Sequence, residues 1–287
     1  MWDHESGEYI RTLKGHTNTV NCVAFTPTGT HLASASSDLS IKLWEVATYT
    51  CVRTLRGHDH TISAIRFIPS PASVLTLEQS VENGTVSGEN TSSSATGIDI
   101  SSASSSTLVS ASRDHTVKFW DLESGFCDHT LSDHSDWVRC IAVRESDGDM
   151  LATSGNDQTI YVYNLNENRR KIAELRGHTH VIESISFVSA MTPVETAGVK
   201  SSTGNSKSST EQKLETINNY IASGGRDRSV RLWNIVTEEC LFVFEYHENW
   251  VKSVILHPSG DYIISAGDDR SIRVMDIKVR LCIIVWD

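Results

Sequence analysis

The sequence predicts an all-β protein, a β-propeller with five complete repeats of four antiparallel strands that belong to a seven-bladed ring. Three observations predict it. A set of polar and aromatic residues recurs five times, apolar residues between its members alternate with a period of two, and turn-forming residues separate the runs. The sets are His16, Ser34, Asp38 and Trp44; His58, Ser110, Asp114 and Trp120; His134, Thr153, Asp157 and Tyr163; His178, Ser223, Asp227 and Trp233; and His247, Ser265, Asp269 and Met275. Counted from each Asp, the hydroxyl residue is four positions back and the aromatic, or its Met substitute, six forward. The His lies 22 or 23 residues before the Asp in three sets and 56 and 49 before it in the others, so two units carry insertions.

Met once, a Ser, a His and an Asp would point to an activated nucleophile. Met five times they are structural, because stacked units must each satisfy the same buried polar groups, whereas an active site needs one arrangement in one cleft.

The first strand of each unit begins four residues after the His, with apolar residues at offsets four, seven and nine: Val20, Val23 and Phe25 in the first unit, Ile62, Ile65 and Phe67 in the second. It ends at turn formers such as Thr26-Pro27-Thr28-Gly29 and His257-Pro258-Ser259-Gly260. A second strand leads to the Asp, which opens a tight turn. The third strand follows with pairs such as Ile41 and Leu43, Val117 and Phe119, or Val230 and Leu232, and a fourth runs to the next Gly-His. Gly15-His16, Gly57-His58 and Gly177-His178 open units, and Trp2-Asp3 and Trp120-Asp121 close them, which is the signature of a WD-repeat propeller.

The repeats place one propeller domain over 1–287, with units at about 14–50, 56–126, 132–169, 176–239 and 245–287. Both insertions fall between first and second strands: a Ser-rich loop at 69–107 with acidic residues and no Lys or Arg, and a polar loop at 189–219. Met1-Trp2-Asp3 reads as the close of a third strand and Glu8 to Leu13 as a fourth, belonging to a unit whose first strands are missing. An orphan strand beside an open propeller edge leaves backbone groups unpaired, so the chain is expected to be a fragment, incomplete at both ends.

Composition excludes several function classes. The net charge of −11 opposes nonspecific nucleic-acid binding. No run of 18 apolar residues or secretory signal is present, so no membrane span is expected and the protein is placed in the cytoplasm. Cys22, Cys51, Cys127, Cys140, Cys240 and Cys282 lack any CxxC spacing and are expected to be small buried residues of a reducing compartment. His58-x-His60 and His178-x-His180 bring two imidazoles together without a third ligand, so no metal, cofactor or catalytic residue is assigned.

The offsets also select a binding face. Residues three and five after each His, and those flanking each turn Asp, point outward at one end of a unit. These positions hold Arg113, Arg139, Arg226, Arg228, Lys252 and Arg270 together with Trp137 and Trp250, a cationic and aromatic rim on an acidic protein. Trp and Arg are the types enriched at interface hot spots, so the partner should carry acidic groups beside an apolar contact.

At Ser110 to Trp120, Asp136 to Ile141, Gly155 to Thr159, Ala173 to His178, Ser223 to Asp227, Glu248 to Lys252 and Asp268 to Arg273 the chain resembles the lissencephaly/nuclear-distribution (NudF-type) family of cytoplasmic dynein regulators. The resemblance implies a non-enzymatic regulator that binds the dynein motor domain, with roles in nuclear positioning, the mitotic spindle and microtubule-based transport, at the cytoskeleton and centrosome. It implies that Arg113, Arg139, Arg226 and Trp250 contact dynein, with Arg270 where the family usually has Lys. It further implies homodimeric full-length members, NudE-type adaptors as partners and, in animals, a non-catalytic place beside the catalytic subunits of a platelet-activating-factor acetylhydrolase. A generic WD-repeat adaptor is the remaining alternative. The family's N-terminal dimerisation segment is absent from this sequence.

Overall fold

The computed structural model describes residues 1–68, 107–144, 148–188 and 219–286. They fall into two compact units, Met1–Val138 and Arg139–Asp287. Unit one holds two four-stranded antiparallel sheets. The first is β1 (Val20–Phe25), β2 (His31–Ser36), β3 (Ser40–Glu45) and β4 (Cys51–Arg56); the second is β5 (Ile62–Ile68), β6 (Thr107–Ser112), β7 (Val117–Trp120) and β8 (Cys127–Leu131). Unit two holds three: β9 (Val138–Val143) to β12 (Arg170–Arg176), with β10 (Met150–Gly155) and β11 (Thr159–Asn164) between them; β13 (Ile182–Phe187), β14 (Tyr220–Gly225), β15 (Val230–Asn234) and β16 (Glu239–Phe244); and β17 (Val251–Leu256), β18 (Tyr262–Gly267), β19 (Ile272–Asp276) and β20 (Leu281–Trp286). Each sheet is a propeller blade with its strands in sequence order, so blades one to five correspond to the five repeats.

The register repeats because the turns repeat. Three residues in blades one and three, and four in blades two, four and five, join second to third strand, and the third of them is left-handed in every blade: Leu39, His115, Gln158, Arg228 and Arg270 all have φ between 63° and 70°. A short hairpin loop with a left-handed residue in its third position matches the twist of the strands it joins. It also sets Ser34 opposite Lys42, Ser110 opposite Lys118, Thr153 opposite Tyr161, Ser223 opposite Arg231 and Ser265 opposite Arg273.

Within each unit, blades stack through one repeated contact. In unit one, Ile62, Ile65 and Phe67 of β5 pack on Ala33, Ile41, Leu43 and Leu55 of blade one. In unit two, Ile182, Ile185 and Phe187 pack on Ala152, Ile160, Val162 and Leu175, and Val251, Val254 and Leu256 on Ala222, Val230, Leu232 and Phe244. The residues at offsets four, seven and nine thus cover the preceding blade, and each large side chain so buried stabilises the stack by about 1.5–3 kcal/mol. Polar contacts cross the same seams: Asn21 Nδ2 donates to the Ile62 carbonyl at 2.9 Å, and the Val254 N–H to Ser184 Oγ at 3.0 Å.

Two expectations differ from what is found. The cysteines are free thiols, as their spacing implied, but none is fully buried: Cys51 is exposed and the others are half-buried. Four of them sit on outer strands at a β-bulge, where Cys51, Cys127, Cys240 and Cys282 lie opposite Trp44, Trp120, Trp233 and Met275. An outer strand has one solvated side, and the bulge turns the thiol toward its rim. The N-terminal residues form one antiparallel bridge, Trp2 to Tyr9, instead of two strands. Asp3 caps the intervening turn by accepting the Ser6 N–H at 2.8 Å, so the chain reverses before a ladder can grow. The expected insertions at 69–107 and 189–219 lie, apart from Thr107 and Asn219, outside the described residues.

Candidate functional site

The recurring set forms a directional hydrogen-bond chain. In blade four, Trp233 Nε1–H donates to Ser223 Oγ at 2.8 Å, Ser223 and His178 Nε2 are 2.7 Å apart, and His178 Nδ1 and Asp227 Oδ2 2.8 Å apart. A carboxylate only accepts, so Nδ1 carries the proton and Nε2 takes the hydroxyl hydrogen of Ser223. Blades one and two repeat this through His16, Ser34, Asp38 and Trp44 and through His58, Ser110, Asp114 and Trp120, all at 2.6–2.8 Å. Blade five repeats it through His247, Ser265 and Asp269 at 2.6 and 2.9 Å, with Met275 supplying no donor. In the third set His134, Thr153 and Tyr163 are likewise buried. In blades one, two and four the serine hydroxyl is held between indole and imidazole, so the set ties the blade together.

Sequence reasoning missed a fifth member. Two residues after each Asp stands a hydroxyl: Ser40, Thr116, Thr159, Ser229 and Ser271. Four of these donate both N–H and O–H to Oδ1 of Asp38, Asp114, Asp227 and Asp269, the O–H bonds measuring 2.6–2.9 Å. Its fivefold recurrence was signal enough to find it.

These partners set the titration behaviour. Burial by itself would raise the four aspartates, but the hydrogen bonds from His and Ser or Thr override it and hold each carboxyl well below the usual carboxylate range. Burial pushes the His178 imidazole below its ordinary 6.5, against the pull of Asp227. Both shifts have one sign for stability. The unfolded chain takes up protons first, at His178 below about pH 6.5 and at the aspartates below about pH 3.9, so stability present above those values is lost on acidification. The melting temperature is expected to fall as pH drops from 7 to 5 and more steeply below 4; a rise on acidification would contradict these assignments.

The outward positions meet at the loop end of each blade. In blades one, two, four and five the backbone N–H before the turn Asp donates to the carbonyl three residues after the His: Ser37 to Thr19 and Arg113 to Thr61 at 2.9 Å, Arg226 to Val181 and Asp268 to Trp250 at 2.8 Å. That bond holds the residues before and after the Asp beside the start of the blade's first strand. In unit one the Arg113 guanidinium lies over the Trp137 ring at 3.3 Å, with the His60 ring centroid 6.5 Å from that of Trp137. In unit two the Arg226 guanidinium lies over Trp250 at 4.3 Å, and Lys252 Nζ is 5.0 Å from the same ring. The two stacks are one motif: in both, an Arg just before the turn Asp meets a Trp that lies 24 residues on and three after the next His.

Unit two adds an ion cluster. Glu183 Oε1 accepts from Arg226 Nε at 2.5 Å and lies 4.0 Å from Lys252 Nζ, while Oε2 is 3.6 Å from Arg139 Nη1. Asn156 Oδ1 accepts from Arg139 Nε at 2.6 Å, and Asp268 pairs with Lys252 at 3.7 Å. Three cations thus face two carboxylates. Glu183 was legible as an outward residue but not as the hub, because its position, five after the His, is the one Arg139 and Lys252 occupy in neighbouring repeats. Arg228 and Arg270 are exposed on their left-handed turns. Among the described residues, neither they nor Arg113 has a carboxylate within ion-pair distance.

The paired histidines each have other duties. His60 Nδ1 accepts the Thr61 N–H and His180 Nδ1 the Val181 N–H, both at 2.7 Å. Among the described residues, no group of three or more metal-ligating side chains is assembled, and no helix is long and apolar enough to cross a membrane.

Known proteins agree with this architecture. The chain is 35% identical over 271 residues to the nuclear distribution protein PAC1 of Arthroderma otae, a match covering 91% of this chain and 50% of that protein. It is 37% identical over 265 residues to PAC1 of Gibberella zeae and 33% identical over 265 residues to the nuclear distribution protein nudF of Aspergillus niger, again over 91% of this chain and 50% of each relative. The chain therefore spans about half the length of the curated relatives it matches. The profile described as WD domain, G-beta repeat matches residues 7–45, 80–121, 125–164, 216–234 and 238–276, the greater part of the sequence. The chain, a set of WD-type propeller blades of which three are tied by a full hydrogen-bonded tetrad, belongs to the WD domain, G-beta repeat family.

Proposed function

We propose that this chain is a non-enzymatic regulator of nuclear positioning that works by binding the cytoplasmic dynein motor domain, through Arg113 and Trp137 in unit one and Arg139, Arg226, Arg228, Trp250, Lys252 and Arg270 in unit two. The observation that carries the reading is the repeated Arg–Trp stack. A guanidinium laid on an indole is preorganised and partly desolvated, and Arg113 does this with no carboxylate to neutralise it among the described residues. Such a group recognises an acidic side chain next to an apolar one.

Kinship supports this choice of partner. The relatives are named nuclear distribution proteins, and the resemblance to dynein regulators runs through the segments that contain these stacks. The serine hydroxyls locked inside the tetrads favour a binding role over a catalytic one. Transport and spindle functions, cytoskeletal localisation, NudE-type adaptors and dimerisation belong to the same proposal for the longer proteins of this kind.

Titration of the purified chain with the cytoplasmic dynein motor domain tests it. Saturable binding that weakens as salt rises is expected, because the contacts are charge-assisted. No binding at low salt, alongside binding to an acetylhydrolase catalytic subunit, would replace the dynein reading with the enzyme-subunit one.

A further inference from the structure

Two outward positions of each blade, five residues after the His and just before the turn Asp, face each other. The first is the extra residue of a β-bulge in blades one, two, four and five, at Asn21, Ser63, Glu183 and Lys252, and a bulge re-aims its side chain toward the neighbouring turn. In four blades the two positions satisfy one another. Asn21 Nδ2 donates to Ser37 Oγ at 3.1 Å, Arg139 Nε to Asn156 Oδ1 at 2.6 Å and Arg226 Nε to Glu183 Oε1 at 2.5 Å, while Lys252 Nζ lies 3.7 Å from Asp268.

Blade two breaks the rule. Its pair is Ser63 and Arg113, both half-buried, and neither side chain has a hydrogen bond or an ion pair among the described residues. Stacking on Trp137 uses the flat face of the Arg113 guanidinium and leaves its fork of N–H groups, which lies in the guanidinium plane, unmatched. Asp136, the carboxylate beside Trp137 in the chain, is spent on the Trp137 N–H at 2.6 Å. In blade four the same fork, on a guanidinium stacked in the same way on Trp250, is taken by the Glu183 carboxylate. Glu183 therefore shows what the seat accepts, and Ser63, shorter and uncharged, leaves it open.

We propose that the seat between Ser63 and Arg113 binds the side-chain carboxylate of a Glu or Asp on a partner protein, while Glu183 fills the corresponding seat of blade four as a built-in counterion. The residue five after the His thus decides which stack reads an outside acid. The inference rests on the reading of the stacks as a contact surface and divides their labour. The unit-one stack selects for charge, and the unit-two stack, with Arg226 neutralised from within, offers its indole as an apolar contact. A tethered carboxylate competes at the high effective concentration of an intramolecular group, so a free one does not displace it.

Indole N–H resonances of the 287-residue chain, identified through Trp137→Phe and Trp250→Phe, test this with a probe that contains no dynein sequence. The probe is acetyl-Leu-Glu-Leu-amide, with the Leu-Gln-Leu analogue as control. The Trp137 resonance should shift saturably with the Glu peptide and not with the Gln peptide, and the Trp250 resonance should respond to neither. Ser63→Glu should abolish the Trp137 shift, and Glu183→Ser, which recreates the blade-two pair, should make Trp250 respond. The Trp120 and Trp233 indoles, each bonded to a serine at 2.8 Å, report whether blades two and four stay folded. If either resonance moves in a variant, Ser63→Asp and Glu183→Gln carry the same test. No Trp137 shift in the parent, an equal shift at Trp250, a Ser63→Glu chain that responds like the parent, or a silent Trp250 in Glu183→Ser would overturn the proposal. A dynein motor domain that fails to bind would overturn the proposed function alone, since the peptide response does not depend on it.

Discussion

Asp227→Ala is expected to unfold blade four, with a loss of about 3–5 kcal/mol of local stability. The carboxylate accepts four hydrogen bonds, from His178 Nδ1, the Thr179 N–H, and the N–H and hydroxyl of Ser229, and Arg231 lies 4.0 Å away. Removing it strands those donors in a buried setting, where each unsatisfied group costs about 1–3 kcal/mol, while the loss of a buried charge partner accounts for the upper end of the range. Asp227→Asn keeps one acceptor oxygen and should cost about half as much. Hydrogen exchange is the fitting measurement, because blades open as cooperative pieces. Protection should drop across β13 to β16 before it drops elsewhere in unit two. Unchanged protection there would mean that the tetrad contributes far less than its geometry indicates.

The second large effect concerns binding. Trp250→Ala and Arg226→Ala should each weaken dynein motor-domain binding by about 2–4 kcal/mol, the range of interface hot spots. Their combined effect should fall short of the sum. The guanidinium rests on the indole at 4.3 Å, so removing either disorders the other, and residues in direct contact do not add. A double-mutant cycle returning full additivity would mean that the two side chains act separately. Arg228→Ala provides the contrast: this exposed residue has no ion pair among the described residues, and its loss should weaken binding less and mainly by slowing association.

Much of this architecture is readable from residues alone because it repeats. Blade count, strand order and the tetrads follow from five copies of one pattern, and the hairpin loops follow from the fixed spacing around each Asp. What a single repeat cannot show is what crosses between repeats. Glu183 becomes a hub only when the neighbouring loops of unit two bring Arg139, Arg226 and Lys252 to it. The Arg–Trp stacks were half legible: both members were selected as outward residues, and the shared 24-residue spacing of Arg113 to Trp137 and Arg226 to Trp250 states the pairing, but only to a reader who already knows which loops adjoin. The cysteines misled because their apolar neighbours describe a strand and not its place in the sheet. On an outer strand the same alternation leaves Cys51 in solvent.

One titration tests the central claim. The chain carrying Arg113→Ala, Arg226→Ala and Trp250→Ala should lose measurable affinity for the dynein motor domain while keeping the melting temperature of the parent, since none of the three side chains belongs to a tetrad or an apolar seam. Binding of undiminished strength by that triple variant, in conditions where the parent binds, would contradict the account and place any dynein contact away from these stacks.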